Sequence, residues 1–227
     1  MKEHPILFST PMVQAILDGR KTQTRRIIKI HDLIEKPDRF RYKGNSSEFD
    51  IPRLAIPYDD RLYHSWELVN SNACSWVIYS HKSGDILWVR ETHYAYGHWT
   101  RISTTLMNSV KKEHHFHDLT LSEKKVYMYE DNPPETILKR WGLGYHKRPS
   151  IFMPKEACRI KLEITGIRVE RVQDISNKDA LDEGIDMNKT PCIEPTNAFA
   201  ILWDSINLKR ASWNSNPWVW VIEFKNL

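Results

Sequence analysis

The run Arg159-Ile160-Lys161-Leu162-Glu163-Ile164 alternates polar and apolar side chains without a break, and it constrains the fold more than any other stretch. Successive side chains of a strand point to opposite faces, so this alternation marks a strand with one face in a core and the other in water. Gly166 interrupts it where a strand can bend, and Ile167, Val169 and Val172 carry the pattern onward. Near the far end, Pro217-Trp218-Val219-Trp220-Val221-Ile222-Glu223-Phe224 is rich in β-branched and aromatic residues and reads as another strand. Gly84-Asp85-Ile86-Leu87-Trp88-Val89-Arg90 reads as a turn feeding a third. No regular strand–helix–strand alternation joins these pieces, which points to a small mixed barrel of several strands and a few short helices.

The helices announce themselves by their ends. After the apolar strand Pro5-Ile6-Leu7-Phe8-Ser9, Thr10 caps a helix with Pro11 at its first position, and Gly19 stops it. Ser176 opens a short helix with Asp179 in the capping-box position, and Gly184 ends it. A further helix, from about Thr196 to Asn207, places Phe199, Leu202, Trp203 and Ile206 on a buried stripe. Residues 31–83 read as strand-like pieces alternating with polar, Pro-containing connections, and loops with little regular structure are expected there. Residues 93–146 read as a polar and aromatic insertion with too little apolar periodicity for a core of its own.

Composition excludes several classes. At 227 residues with 41% hydrophobic and 27% charged residues, the chain is a folded globular protein and not a disordered one. The net charge of +4 tolerates a polyanionic partner without demanding one. Cys74, Cys158 and Cys192 form no C-x-x-C pair, which favours a reducing compartment over a disulfide framework or a zinc site. With no signal-like apolar run and no stretch of membrane-spanning length, a cytoplasmic location is expected, without a membrane partner. Nine Trp residues serve either a core or a surface on which bases stack.

The densest chemistry lies in Gly19-Arg20-Lys21-Thr22-Gln23-Thr24-Arg25-Arg26, just past a helix C-terminus. One reading is a solvated basic loop that complements the helix dipole. The other is a clamp for phosphate or carbonyl oxygens, with Lys21 serving as a base if burial lowers its pKa. In an extended strand Lys21 and Thr24 point to opposite faces, so their cooperation requires a turn between them. Glu183, with Asp182 before it, ends a helix where carboxylates oppose the dipole; this marks it either for function or for a tertiary salt bridge. Trp88 with Arg90, Glu91 and His93 follows the Gly84 turn, Trp88 fitting either core or binding surface. The cluster Glu113-His114-His115-Phe116-His117-Asp118 matches no common zinc spacing, so no metal is expected there. Gly-rich phosphate loops, H-E-x-x-H and G-x-S-x-G are absent from the sequence.

Taken together, the basic block, the Gly84 turn and strand, the bent strand, the stretch Ile175-Ser176 through Asp179-Ala180 to Glu183-Gly184-Ile185, and the closing strand resemble the ASCH domain family of the PUA-like superfamily. The chain looks most like the longer members common in phages and prophages, with matching blocks over about half its length. The resemblance implies an α+β fold: one PUA-like mixed β-barrel domain over 1–227, with long insertions at about 31–83 and 93–146. A compact bacterial member is an amidohydrolase that removes the acetyl group from N4-acetylcytidine. Its catalytic Lys and Thr fall on Lys21 and Thr24, and its catalytic Glu falls on Glu183. By the same resemblance the partner is a modified nucleoside or RNA, bound through Arg20, Thr22, Arg25, Arg26, Trp88, Arg90 and Glu91. No cofactor and no obligate protein partner are implied. Either Thr24 Oγ or a water attacks the acyl carbon, Lys21 accepts the proton, and Glu183 orients the pair or protonates the leaving amine. A non-catalytic RNA-binding module, a ribonuclease and a phage–host interaction protein are the competing readings.

Overall fold

The computed structural model describes residues 1–29, 40–46, 63–68, 74–78, 81–106, 109–139, 141–188 and 191–227. In chain order its elements begin with β1 (Glu3–Leu7), α1 (Thr10–Leu17), β2 (Gln23–Ile27), β3 (Phe40–Ser46), β4 (Tyr63–Leu68) and β5 (Cys74–Ile78). They continue with β6 (Ile86–Arg90), β7 (His93–Leu106), β8 (Ser109–Asp118), β9 (Met128–Tyr129), β10 (Gly144–Arg148) and β11 (Lys161–Arg171). The last are α2 (Asn177–Asp182), α3 (Pro195–Asn207) and β12 (Trp218–Asn226). The fold is mixed α+β, and no described helix is long and apolar enough to cross a membrane.

Two compact units divide the chain. The first comprises Met1–His4, Gln14–Leu87 and Lys161–Leu227; the second comprises Pro5–Val13 and Trp88–Ile160. A five-stranded sheet runs in the order β1-β6-β11-β12-β2, so β1 and β6 carry residues of both units along their length. Its described strands follow an open path and do not close into the barrel expected from sequence. The physical reason lies at β2, the last strand of that path. The backbone leading into it meets the C-terminal end of α2: Thr22 N–H donates to the Asp182 carbonyl at 2.8 Å, and Lys21 forms an isolated antiparallel bridge with Glu183.

In the first unit the bent strand exists as read. β11 is one strand paired antiparallel with β12, and its register shifts between Ile164 and Gly166. β12 pairs antiparallel with β2, placing Val221 opposite Arg25 and Ile222 opposite Thr24. Val219, Trp220, Val221 and Ile222 are all buried, so β12 is covered on both faces. One face packs with Val172, Ile175, Ala180, Phe199 and Trp203, a cluster in which side chains the size of Val172, Ile175 and Phe199 contribute ~1.5–3 kcal/mol each. Trp203 is buried and donates its indole N–H to the Ala211 carbonyl at 2.9 Å. Ile206 is 62% exposed, against the expected buried stripe, because it lies one turn beyond Trp203, past the end of the packed cluster. The unit also contains a three-stranded antiparallel sheet, β3-β4-β5, in the stretch read as irregular. Aromatic and β-branched residues such as Tyr42, Trp66, Trp76 and Val77 favour strands even without clean alternation.

In the second unit β7 pairs with β10 along one side and, along the other, with β9 at His93 and Tyr94 and with β8 from Gly97 onward. Gly97 is required in β7, since a Cβ there would stand 2.0 Å from the His117 carbonyl oxygen. Buried His93, Tyr94, Ala95, His146, Met153 and Ala157 fill this unit. Two of those six are histidines, which is why a search for apolar periodicity finds no core in 93–146.

Candidate functional site

Lys21 owes its position to the turn that ends α1. Gly19 adopts φ +72°, a left-handed conformation that stops the helix, and the N–H groups of Arg20 and Lys21 both donate to the Ala15 carbonyl at 2.9 Å. Glu183 is placed by α2. The Ser176 hydroxyl accepts from the Asp179 N–H at 3.1 Å at the start of that helix, and Gly184 at φ +93° turns the chain out of it. Glu183 N–H donates to the Asp179 carbonyl at 2.8 Å. Both residues are therefore fixed by backbone before their side chains meet.

The side chains meet closely. Lys21 Nζ donates to Glu183 Oε2 at 2.7 Å and to the Glu183 carbonyl at 2.8 Å, with the two side chains only 1% and 5% exposed. The other carboxylate oxygen, Oε1, accepts from Arg25 Nη1 at 3.1 Å. Arg25 also donates from Nε and Nη2 to Glu170 Oε1, at 2.8 and 2.5 Å, and its guanidinium lies 5.7 Å from the Phe199 ring centre. Gln23 donates to the Asp179 carbonyl at 2.8 Å and to its carboxylate at 3.0 Å. Arg168 closes the outer rim through Glu170 at 3.1 Å, Asp179 at 3.3 Å and Glu223. Each oxygen of the Glu183 carboxylate is thus held by a different cation.

Burial pulls the Lys21 pKa below the ordinary lysine value, against the Glu183 carboxylate and its hydrogen bond, which pull it up. Arg26 and Arg25 add smaller downward contributions. The arrangement can therefore present an amine near a carboxylate, shielded from water, with proton transfer open between Nζ and Oε2.

Lys21, Gln23 and Arg25 share one face, as their common contacts with α2 require. Alternation along β2 then turns Thr24 and Arg26 to the other face, where they pair with Ile222 and Trp220. Thr24 is buried there, 4% exposed. The chain from Lys21 to Thr24 is extended, so the turn needed to join their side chains is not formed. Arg20 donates to the Gly184 carbonyl at 3.1 Å and to Asp18 at 2.8 Å, while the Thr22 side chain is exposed. The remaining expected binding residues belong to the second unit. Arg90 stacks over Trp88 at 5.6 Å and donates to the Ile151 carbonyl. Buried Glu91 accepts two hydrogen bonds of 2.9 Å from Arg159.

Sequence reading missed Gln23, Arg168, Glu170 and Asp179 as partners of this network. Their signal was available in part: odd-numbered polar residues at 21, 23 and 25 mark one face of β2, and Arg168 and Glu170 share a face of β11. Among the described residues no group of three or more His, Cys, Asp or Glu side chains is placed to hold a metal ion. No protein-family model matches this chain, and no curated protein or solved structure matches it either.

Proposed function

We propose that this chain is an ASCH-type hydrolase of the PUA-like superfamily that removes an acyl group from the exocyclic amine of a cytosine-like base, with Lys21 and Glu183 as its proton-transferring pair. The observation that carries this reading is the 2.7 Å contact between Lys21 Nζ and Glu183 Oε2, at a lysine whose pKa burial lowers. A neutral Lys21 amine takes a proton from the attacking water as its oxygen bonds to the acyl carbon. The ammonium so formed returns that proton to the departing amine nitrogen as the C–N bond breaks, leaving a carboxylic acid and the free base. Water is the nucleophile that the register favours, because Thr24 lies on the opposite face of β2. Arg25 acts as a positioning residue: it fixes the Glu183 oxygen that Lys21 does not hold.

The same contacts speak against a phosphate clamp at this place. Arg20 is engaged with Asp18 and Gly184, Lys21 with Glu183, and Arg25 with Glu170 and Glu183, so these cations are already answered by carboxylate and carbonyl oxygens. With the pair sealed from solvent, substrate must displace the side chains that cover it, and opening of the site belongs to the catalytic cycle.

The test is incubation of the purified protein with N4-acetylcytidine, following loss of the acetyl-base absorbance, beside Lys21→Ala and Glu183→Gln. The expected result is turnover that falls by about a thousandfold or more in both variants, seen in kcat. Absence of turnover by the folded wild-type protein overturns the proposal.

A further inference from the structure

The second unit carries a different constellation. Arg148, on β10, holds its guanidinium carbon 4.7 Å from the Trp99 ring centre, 4.5 Å from that of Phe116 and 4.9 Å from that of Phe152. The sheet builds this arrangement: Trp99 of β7 stands opposite Phe116 of β8, and Arg148 opposite His93 of β7, so all of them share one face. All three distances are within the range over which a cation is attracted to an aromatic face. Rings supply no lone pairs, however, and among the described residues the Arg148 guanidinium has no hydrogen-bond or salt-bridge partner. Burial lowers its pKa, and the Asp118 carboxylate opposes this only at a distance. No Arg148 nitrogen is both buried and unpartnered, so its N–H groups face solvent, where an anion can reach them while the three rings hold the guanidinium in place.

Phe152, one of the three rings, is 60% exposed, and Ile151 beside it is 59% exposed. The charge of the unit matches an anionic ligand. Between Trp88 and Ile160 there are twelve Lys and Arg against eight Asp and Glu, the whole of the chain's +4 excess. Six of the ten histidines lie in the same stretch, among them the stacked pair His98 and His117 at 5.1 Å.

We propose that the Arg148 cluster is a binding site for single-stranded polynucleotide, in which Arg148 takes a backbone phosphate and the exposed face of Phe152 takes a base. Phosphate needs the planar N–H fork that Arg148 presents, and an unpaired base needs an exposed ring. A duplex, whose bases are stacked inside, offers only the first. The site lies outside the blocks that carry the family resemblance and does not depend on the chemistry of Lys21.

Fluorescence anisotropy with a labelled single-stranded RNA of about 12 nucleotides, its DNA counterpart and the matching duplex tests this. Saturable binding of single strands is expected, weaker for the duplex, and any RNA–DNA difference identifies the natural polymer. Arg148→Ala is expected to weaken binding at least tenfold and to flatten the logarithmic salt dependence by about 0.7. Phe152→Ala, at an exposed position where folding is not at risk, is expected to cost about tenfold through the lost stack. Lys147→Ala, which removes a neighbouring charge engaged with Glu130, is the control. The proposal is overturned by failure of the wild-type protein to bind any single strand at low salt, by a Lys147→Ala loss equal to that of Arg148→Ala, or by a Phe152→Ala protein that binds normally. Hydrolysis of free N4-acetylcytidine is measured on the same variants and is expected to be unchanged, so the two readings fail separately.

Discussion

Lys21 and Glu183 are 162 positions apart in the chain, yet the lysine nitrogen and the carboxylate oxygen are 2.7 Å apart and sealed from water. Removing Glu183 takes the carboxylate from buried Lys21, which costs ~3–5 kcal/mol, whereas removing both at once restores much of it, because Arg25 keeps Glu170 as a partner. Glu183→Leu is therefore expected to lower the urea midpoint sharply, and Lys21→Met/Glu183→Leu to regain most of the loss while remaining without hydrolytic activity. A single variant that unfolds like the wild type would show that the pair is not desolvated.

Thr24→Val separates the two nucleophiles that the sequence allows. Valine matches threonine in shape, and Thr24 faces Ile222 across the strand pair. With water as nucleophile, kcat/KM is expected to stay within about threefold of wild type, a change worth less than ~0.7 kcal/mol of barrier. A loss of two orders of magnitude or more would assign the attack to the Thr24 hydroxyl.

The lowered Lys21 pKa fixes the sign of two pH profiles. For activity, kcat/KM is expected to rise with pH as the amine loses its proton and to level off with an apparent pKa below 10.5, the ordinary value. For stability, between the folded pKa and 10.5 the unfolded chain binds a proton that the folded chain has released. Unfolding free energy contributed by this group therefore rises with pH across that window and is flat below it. Subtracting the Lys21→Met profile from the wild-type profile isolates the contribution, and a difference that falls with pH would contradict the desolvation described here.

Gly184→Ala tests the turn that presents Glu183. A Cβ at this residue would lie 2.8 Å from Ala15 Cβ and 3.1 Å from Lys21 Cβ, at a φ of +93° that side chains disfavour. Strain and contact together are expected to cost ~1–3 kcal/mol by denaturant unfolding and to lower kcat more than they raise KM. A neutral effect on both would mean that the Glu183 turn relaxes without moving the carboxylate.

What the sequence discloses and what it withholds separate along physical lines. Gly19, Ser176 and Gly184 were legible because capping and left-handed turns are decided by a few neighbouring residues. The alternation from Arg159 onward showed β11, because period two survives in any half-buried strand. The partners of Arg25 were not legible: Glu170 lies 145 positions away in sequence, and only the seating of β2 beside β12 brings the two together. The same holds for Thr24, whose face is decided by its strand partner Ile222. The β3-β4-β5 sheet and the long β7–β8 pair were hidden because backbone hydrogen bonds hold a ladder together whether or not its side chains alternate.

The placing of β2 against β12 has a consequence for synthesis of the protein. A ribosome that has delivered β2 must still add every intervening element, β3 through α3, before Trp218–Asn226 arrives to pair with it. Throughout that interval β2 has no β12 to seat it, and Lys21 is an ordinary hydrated lysine. Burial of Lys21 is thus coupled to β12, and a nascent chain that has not yet reached this strand carries the sequence block of the site without its geometry.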